Sequence, residues 1–478
     1  MPGSLVGNGF AMTDQRSEGE PPEPGDDVRR TWSRSGRLLP RRVVQPLQSF
    51  LEAETSSALL LLSATILALA WANSPWWESY ERVWSTELTV RLGGVVIGLD
   101  LRHWINDGLM ALFFLLVGLE IKREVTTGEL REPRRTLLPA AAAIGGMVVP
   151  ALVFLAINAG GPAENGWAIP MATDIAFALG ALTLAVRRAS VGIRPFLLTL
   201  AIVDDIGAIV VIALVYSHGV ERGWLVASLA IVVIVVILQR IFVRWAPVYA
   251  LLGLGLWFAI FESGIHAAIA GVVLGLLTPA VPFQRPKAVS DEARRVADLT
   301  VDDPSPPDAD AEHWLYLARL SRDAVSPLSR LEEGLHPWTS LVVIPLFALA
   351  NAGVHVSGVA LGDAVTRGVV IGIVLGLVLG KLIGVTGAIA VTRGLRLGEL
   401  PEGVSRRDAF SVAAVAGIGF TVALFIADLA LADPSLLRAA KVGILVASVL
   451  AGGLAFAVAR IGTGGRGRPP GRASERAT

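Results

Sequence analysis

Twelve apolar runs recur along the chain, near residues 56–73, 103–119, 136–159, 167–186, 195–216, 223–239, 247–261, 264–280, 338–355, 367–391, 408–430 and 437–460. A hydrocarbon core asks for about 20 apolar residues per helical span, because only a helix or a closed barrel satisfies its backbone hydrogen bonds in lipid. The repetition predicts an all-α integral membrane protein of about twelve transmembrane helices. The runs at 247–261 and 264–280 are separated by little more than Glu262-Ser263, which predicts a tight pair. Of the 478 residues, 53% are hydrophobic and only 17% charged, against about 25% charged in soluble proteins. Basic and acidic residues balance at 41 each, so nothing in the charge predicts a nucleic-acid partner. Cysteine is absent, which excludes disulfides, thiol catalysis and iron–sulfur ligation.

The remaining segments divide the chain. Residues 1–50 are polar, acidic first (Glu18, Glu20, Glu23, Asp26, Asp27) and then arginine-rich, and read as a disordered cytoplasmic tail rather than a cleavable signal. Residues 51–461 form the membrane domain. Within it, 283–336 is an extended cytoplasmic loop with a Pro/Asp-rich centre, whose later part, 311–335, is expected as a helix against the bundle. Residues 462–478 are a Gly/Arg-rich tail with no expected fold. Lys122, Arg123, Arg131, Arg134 and Arg135 follow the second run. Alternate connections later carry Arg187, Arg188 and Arg194, then Arg240 and Arg244, then Arg393, Arg396, Arg406 and Arg407. The positive-inside rule makes that side cytoplasmic, and an even span count places both termini there. The first external loop, 74–102, departs most from this contrast, with the mixed charges Glu78, Arg82, Arg91 and Arg102.

Inside the spans, a few residues break the apolar rule. Asp204 and Asp205 sit adjacent in the middle of the fifth run. One acidic side chain at the centre of a membrane helix costs roughly 2.5–3.5 kcal/mol on insertion scales, and an intramembrane carboxylate is by default a functional residue. The pair is expected to hold a cation or a proton. In the fourth run Thr173 and Asp174 follow Pro170, which removes a backbone donor and loosens the preceding turn. Freed carbonyls, a hydroxyl and a carboxylate suit a small alkali cation, while the plainer reading is that Asp174 caps a broken helix end. Gly417-Ile418-Gly419-Phe420-Thr421 in the eleventh run reads either as an unwound stretch or as close helix packing through small residues. Interrupted spans at corresponding places in two halves of a carrier point to a midplane binding site. Lys381 is read as the only lysine in a span interior, paired with Asp204 or Asp205 either as part of ion coupling or as a structural ion pair. Glu120 and Glu124 share one face at the end of the second run, most simply a solvated helix end. His266, Glu332, Glu333 and His336 lie near span boundaries, where each alone is more simply structural.

The strings WINDGLMALFFLLVGLEIKRE, GWAIPMATDIAFALG, AIVDDIGAIVVIAL, GIHAAIAGV, LHPW, PLFALANAGV and AGIGFT, in this order from about 50 to 460, resemble the NhaA-type sodium/proton antiporters. The resemblance implies twelve spans in inverted repeats, with the fourth and eleventh discontinuous and crossing. It implies no enzyme activity and no cofactor, with Na+, Li+ and H+ as transported ions. Asp204 and Asp205 match the paired aspartates at which Na+ and H+ bind in alternation. Asp174 and Thr173 match residues at the crossing, Lys381 the lysine that pairs with the first aspartate, and Glu120, Glu124, His266 and Glu332 positions tied to pH response. It further implies an electrogenic, pH-regulated homodimer in the bacterial inner membrane, serving sodium and pH homeostasis. Two positions depart: Leu382 stands where relatives carry proline, and Glu333 where they carry histidine. A sodium-coupled symporter is the nearest alternative. A passive channel would conduct without proton coupling. A membrane aspartyl protease fits less well, since neighbouring residues on a helix point about 100° apart and cannot form a catalytic dyad by themselves.

Overall fold

The computed structural model describes residues 54–93, 95–185, 192–217, 219–301, 311–355, 362–401 and 403–463. Most of both expected tails, the Pro/Asp-rich centre of the long loop, and Arg187 and Arg188 lie outside the described residues. The first element among the described residues is helix α1 (Glu54–Ala72), and a short helix α2 (Trp77–Trp84) turns from it by 117°. A two-stranded antiparallel ribbon follows, β1 (Glu87–Leu92) against β2 (Val95–Asp100), in register Glu87 opposite Asp100. This ribbon lies within the mixed-charge loop 74–102. Glu87, Thr89 and Arg91 alternate with Leu88, Val90 and Leu92, the period-two pattern of a strand. Gly93 at φ +59° makes the turn, a torsion that glycine adopts without penalty.

The helical bundle then runs in order: α3 (Leu101–Thr126), α4 (Pro133–Asn158), α5 (Glu164–Met171, wound as a 3-10 helix), α6 (Ile175–Ala185), α7 (Ile193–Val215), α8 (Arg222–Arg240), α9 (Ala246–Glu262) and α10 (Ala268–Leu277). Beyond it come α11 (Pro286–Val301), α12 (Ala311–Asp323), α13 (Pro327–Asn351), α14 (Ala364–Gly394), α15 (Arg406–Val415), α16 (Phe420–Ala430) and α17 (Pro434–Thr463). Among the described residues, seven helices are long and apolar enough to cross a membrane. Three bent pairs and the two shorter apolar helices α9 and α10 bring the set to roughly twelve spans, an all-α membrane architecture. Two of those pairs, α5 with α6 and α15 with α16, bend by 45° and 44° at breaks of a few residues.

The long polar loop is more helical than its composition suggests. α11 and α12 are amphipathic, with Val289, Val296 and Leu317 buried. Gln284 N–H donates to the Asp323 carbonyl at 3.0 Å, and Arg244 pairs with the Asp323 carboxylate. The ninth span starts well before 338, because Ser326 caps it (its Oγ accepts from Ser329 N–H at 3.1 Å) with Pro327 at the first helical position.

Close backbone contact between α4 and α14 sets the centre of the bundle. A side chain added at Gly384 would collide with the Gly145 carbonyl, and one at Gly145 with the Gly384 carbonyl. At Gly380 a Cβ would fall 2.9 Å from Pro150 Cα. Small residues that let helix backbones touch are the usual means of packing helices in lipid, where no hydrophobic gain drives them together. This contact carries Lys381 into the protein interior. The same contact predicts that Gly384→Val, by forcing overpacking, costs about 1–3 kcal/mol or more. A lowered melting temperature in detergent is the expected result; wild-type melting would show that the two helices can separate freely.

Candidate functional site

The two breaks meet. Thr173 and Asp174 occupy the turn between α5 and α6, and both are buried. Across from them is the break between α15 and α16. Asp174 N–H donates to the Ile418 carbonyl at 2.7 Å, and Thr173 Oγ1 donates to the Ala416 carbonyl at 2.9 Å. Each unwound segment thus satisfies backbone groups that the other leaves open, which buried backbone requires. The glycines of 417–419 serve this approach rather than any unusual torsion. A Cβ at Gly419 would lie 2.8 Å from the Ala172 carbonyl, and one at Gly417 would strike the Leu377 carbonyl at 2.5 Å. The motif packs tightly through its small residues, and it lies at the 44° bend between α15 and α16.

Asp174 caps two helices at once. Its Oδ1 accepts from Phe177 N–H at 3.0 Å, at the start of α6. Its Oδ2 accepts from Thr421 N–H at 3.0 Å and Thr421 Oγ1 at 2.6 Å, at the start of α16. Two helix N-termini, each carrying partial positive charge, face one carboxylate. Thr421 was legible only as part of the glycine motif, and its hydroxyl is half of this junction.

Lys381 enters from α14, directly after a π turn at Gly376–Gly380. Such turns recur at functional sites because they re-aim the residues that follow. The helix continues unbroken through Leu382. Lys381 Nζ lies 2.6 Å from Asp204 Oδ2 and 3.0 Å from Thr173 Oγ1, and the side chains of Lys381 and Asp204 are wholly inaccessible to solvent. Asp205, next along α7, is also buried, and Asp204 Oδ1 and Asp205 Oδ1 are buried oxygens without a hydrogen-bond partner. The site thus holds a compensated carboxylate beside an uncompensated one. Among the described residues no three His, Asp or Glu side chains converge as a preformed metal cage.

The other expected residues lie apart from this centre. Arg123 pairs with Glu332 and lies 3.8 Å from Glu124, whose Oε2 accepts from Glu129 N–H at 3.0 Å. Glu332 and Glu124 therefore converge on one arginine at one end of the bundle, while Glu333 and His336 are exposed. Toward the other end, His266 Nδ1 accepts from Ala268 N–H at 3.2 Å, so the proton on the neutral ring is at Nε2, 3.2 Å from Asp107 Oδ1. A further lysine corrects the expectation that Lys381 is alone: Lys441 on α17 is also buried, paired with Asp428 at 3.0 Å. Its place four residues inside the last apolar run, and an aspartate near the end of the eleventh, were the available signals.

A family model described as Na+/H+ antiporter 1 matches residues 48–459. The chain belongs to that family. Among curated members, the Na(+)/H(+) antiporter NhaA 2 of Sorangium cellulosum is 45% identical over 435 residues, covering 90% of this chain and 92% of its own. The NhaA of Oleidesulfovibrio alaskensis is 44% identical over 441 residues, with 90% and 97% covered. NhaA 1 of Myxococcus xanthus is 42% identical over 424 residues, with 88% and 94% covered. The family is one of transporters, in keeping with a buried charged site on membrane-length helices.

Lys381→Met would strand the Asp204 charge, which for a buried pair costs about 3–5 kcal/mol. Thermal melting is expected to drop accordingly, and Lys381→Met with Asp204→Asn together to recover most of it. Equal melting of the single and double variants would contradict the pairing.

Proposed function

We propose that this protein exchanges Na+ (or Li+) for H+ across the membrane, with Asp204 and Asp205 as the shared binding groups. The carrying observation is the buried Lys381–Asp204 pair beside an unpartnered Asp205, at a junction of two interrupted helices. Empty, the three side chains carry a net charge of one negative. Sodium or protons on the carboxylates offset that charge and release Lys381 from Asp204. An empty charged site is costly to carry past the membrane midplane, and a loaded one is cheap, so the site moves full in both directions by alternating access. Asp174 and Thr173 supply oxygens at the crossing, and the hydrogen-bond geometry favours for Asp174 the holding of the junction over direct ligation.

If more than one proton enters per sodium, exchange is electrogenic, and an inside-negative potential assists sodium exit by about 2.3 kcal/mol per net charge per 100 mV. Glu120, Glu124, Glu332 and His266 are assigned to pH response. The first three lie toward the end of the bundle where Arg123 joins Glu332 and Glu124, and His266 lies at the other. Residues 51–461 are the transport domain, in inverted repeats, placed in a bacterial inner membrane with the arginine-rich face and both termini cytoplasmic. The working form is a homodimer, and the role is control of internal sodium and pH.

In everted vesicles holding an acid interior, added Na+ or Li+ should dissipate the proton gradient, and Asp205→Asn should abolish this while the variant still folds. Dissipation retained in Asp205→Asn would remove the aspartate from the mechanism. No response from pH 6 to 9 in the parent protein would turn the reading to sodium-coupled symport.

A further inference from the structure

Asp428 sits on α16, the half-helix that starts at the junction, and its partner Lys441 sits on α17. Lys441 Nζ is 3.0 Å from Asp428 Oδ1, with the two side chains 8% and 15% exposed. Asp428 Oδ2 accepts from Asn106 Nδ2 at 3.3 Å, and Asn106 Oδ1 accepts from Asn351 Nδ2 at 2.8 Å. One ion pair and two amides therefore tie α16 to α17, to α3 and to the end of α13. Asn106 stands in a π turn, Trp104–Leu109, the same kind of irregularity that precedes Lys381.

Position along α16 links this network to the ion site. Thr421, Phe425 and Asp428 are four and three residues apart and so share one helix face. Thr421 is held by Asp174. Phe425 meets His266 edge-on, with ring centres 4.9 Å apart, and lies 5.2 Å from Phe114. Asp428 is held by Lys441. α16 is thus a short rod fixed at the ion site by one end and at the His266 end of the bundle by the other. A buried ion pair contributes little net stability, because desolvation offsets most of its attraction. A pair of this kind can be made or broken at modest net cost.

We propose that the Lys441–Asp428 pair is a latch that keeps the bundle shut at the His266 end, and that its opening lets α16 move so that Asp204 and Asp205 face that side. The inference rests on alternating access at those aspartates. Lys441 and Asp428 act here as positioning residues, away from the transported ion.

The protein has no native cysteine, so one introduced thiol reports without background. Ala208→Cys places it on α7 one turn beyond Asp204, toward the His266 end, at a position now buried. A separate Glu221→Cys marks the same end, since Glu221 N–H donates to the Ser263 carbonyl at 2.9 Å beside the His266 loop. A membrane-impermeant maleimide is applied from each face of full-length protein in vesicles. Asp428→Asn should speed labelling at position 208 roughly tenfold, only from the face that labels position 221. Lys441→Gln should do the same, and serves if Asp428→Asn fails to reach the membrane. Lys441→Arg, which keeps the charge, should label at the parent rate. Unchanged labelling in folded Asp428→Asn, or an equal rise from both faces, would overturn the latch and leave an ordinary structural pair. Labelling of position 221 from the cytoplasmic face would overturn the assigned orientation alone. Cation-driven exchange in the cysteine-free parent judges alternating access separately.

Discussion

An ammonium and a carboxylate 2.6 Å apart with no access to water form the interaction on which the rest depends. Removing both charges from water costs several kcal/mol for each ion, and their attraction returns that only with close geometry and further hydrogen bonds. Thr173 supplies one such bond to Lys381. The glycine contact of α14 with α4 brings the lysine in, and the π turn before it sets its direction. Asp205 has no such compensation, and one buried oxygen of each aspartate is free of protein partners. A cation or proton arriving at a site balanced in this way would change its net charge, which is the means of coupling in the proposed exchange.

Breaking two helices in the interior would ordinarily leave open backbone groups. Here each break supplies what the other needs: Ile418 accepts from Asp174 N–H, Ala416 accepts from Thr173, and the Asp174 carboxylate stands at the starts of both following helices. α16 begins at this junction and carries Asp428 in its last turn, so one short helix joins the junction to the Lys441 pair. Its contacts through Phe425 to His266 lie along the same face.

Much of this was legible from residues alone, for identifiable reasons. Apolar runs of bilayer length carry their own boundaries, and a carboxylate or lysine inside one is costly enough to announce itself; Asp204, Asp205 and Lys381 were found in that way. The need of a buried ammonium for a carboxylate points to Asp204 or Asp205 as the partner of Lys381, and the geometry selects Asp204. What could not be read was geometry that depends on long-range contact. Asp174 is ambiguous between ligand and cap until Thr421, 247 residues away, is seen beside it. Arg123 joining Glu332 and Glu124, and Lys441 meeting Asp428, likewise join residues on separate helices. The β ribbon escaped because its alternation is short and mixed with charge, and α11 because its composition resembles a solvated loop while Val289 and Val296 bury one face.

If sodium and protons compete for the same buried carboxylates, binding of one must displace the other. The most direct measurement is calorimetry of Na+ binding to the purified protein in buffers of different ionisation enthalpy, which counts the protons released per ion bound. Net proton release on binding is expected, and its loss together with sodium binding in Asp205→Asn. Sodium bound at Asp205 with no proton released, at any pH where exchange occurs, would contradict that competition.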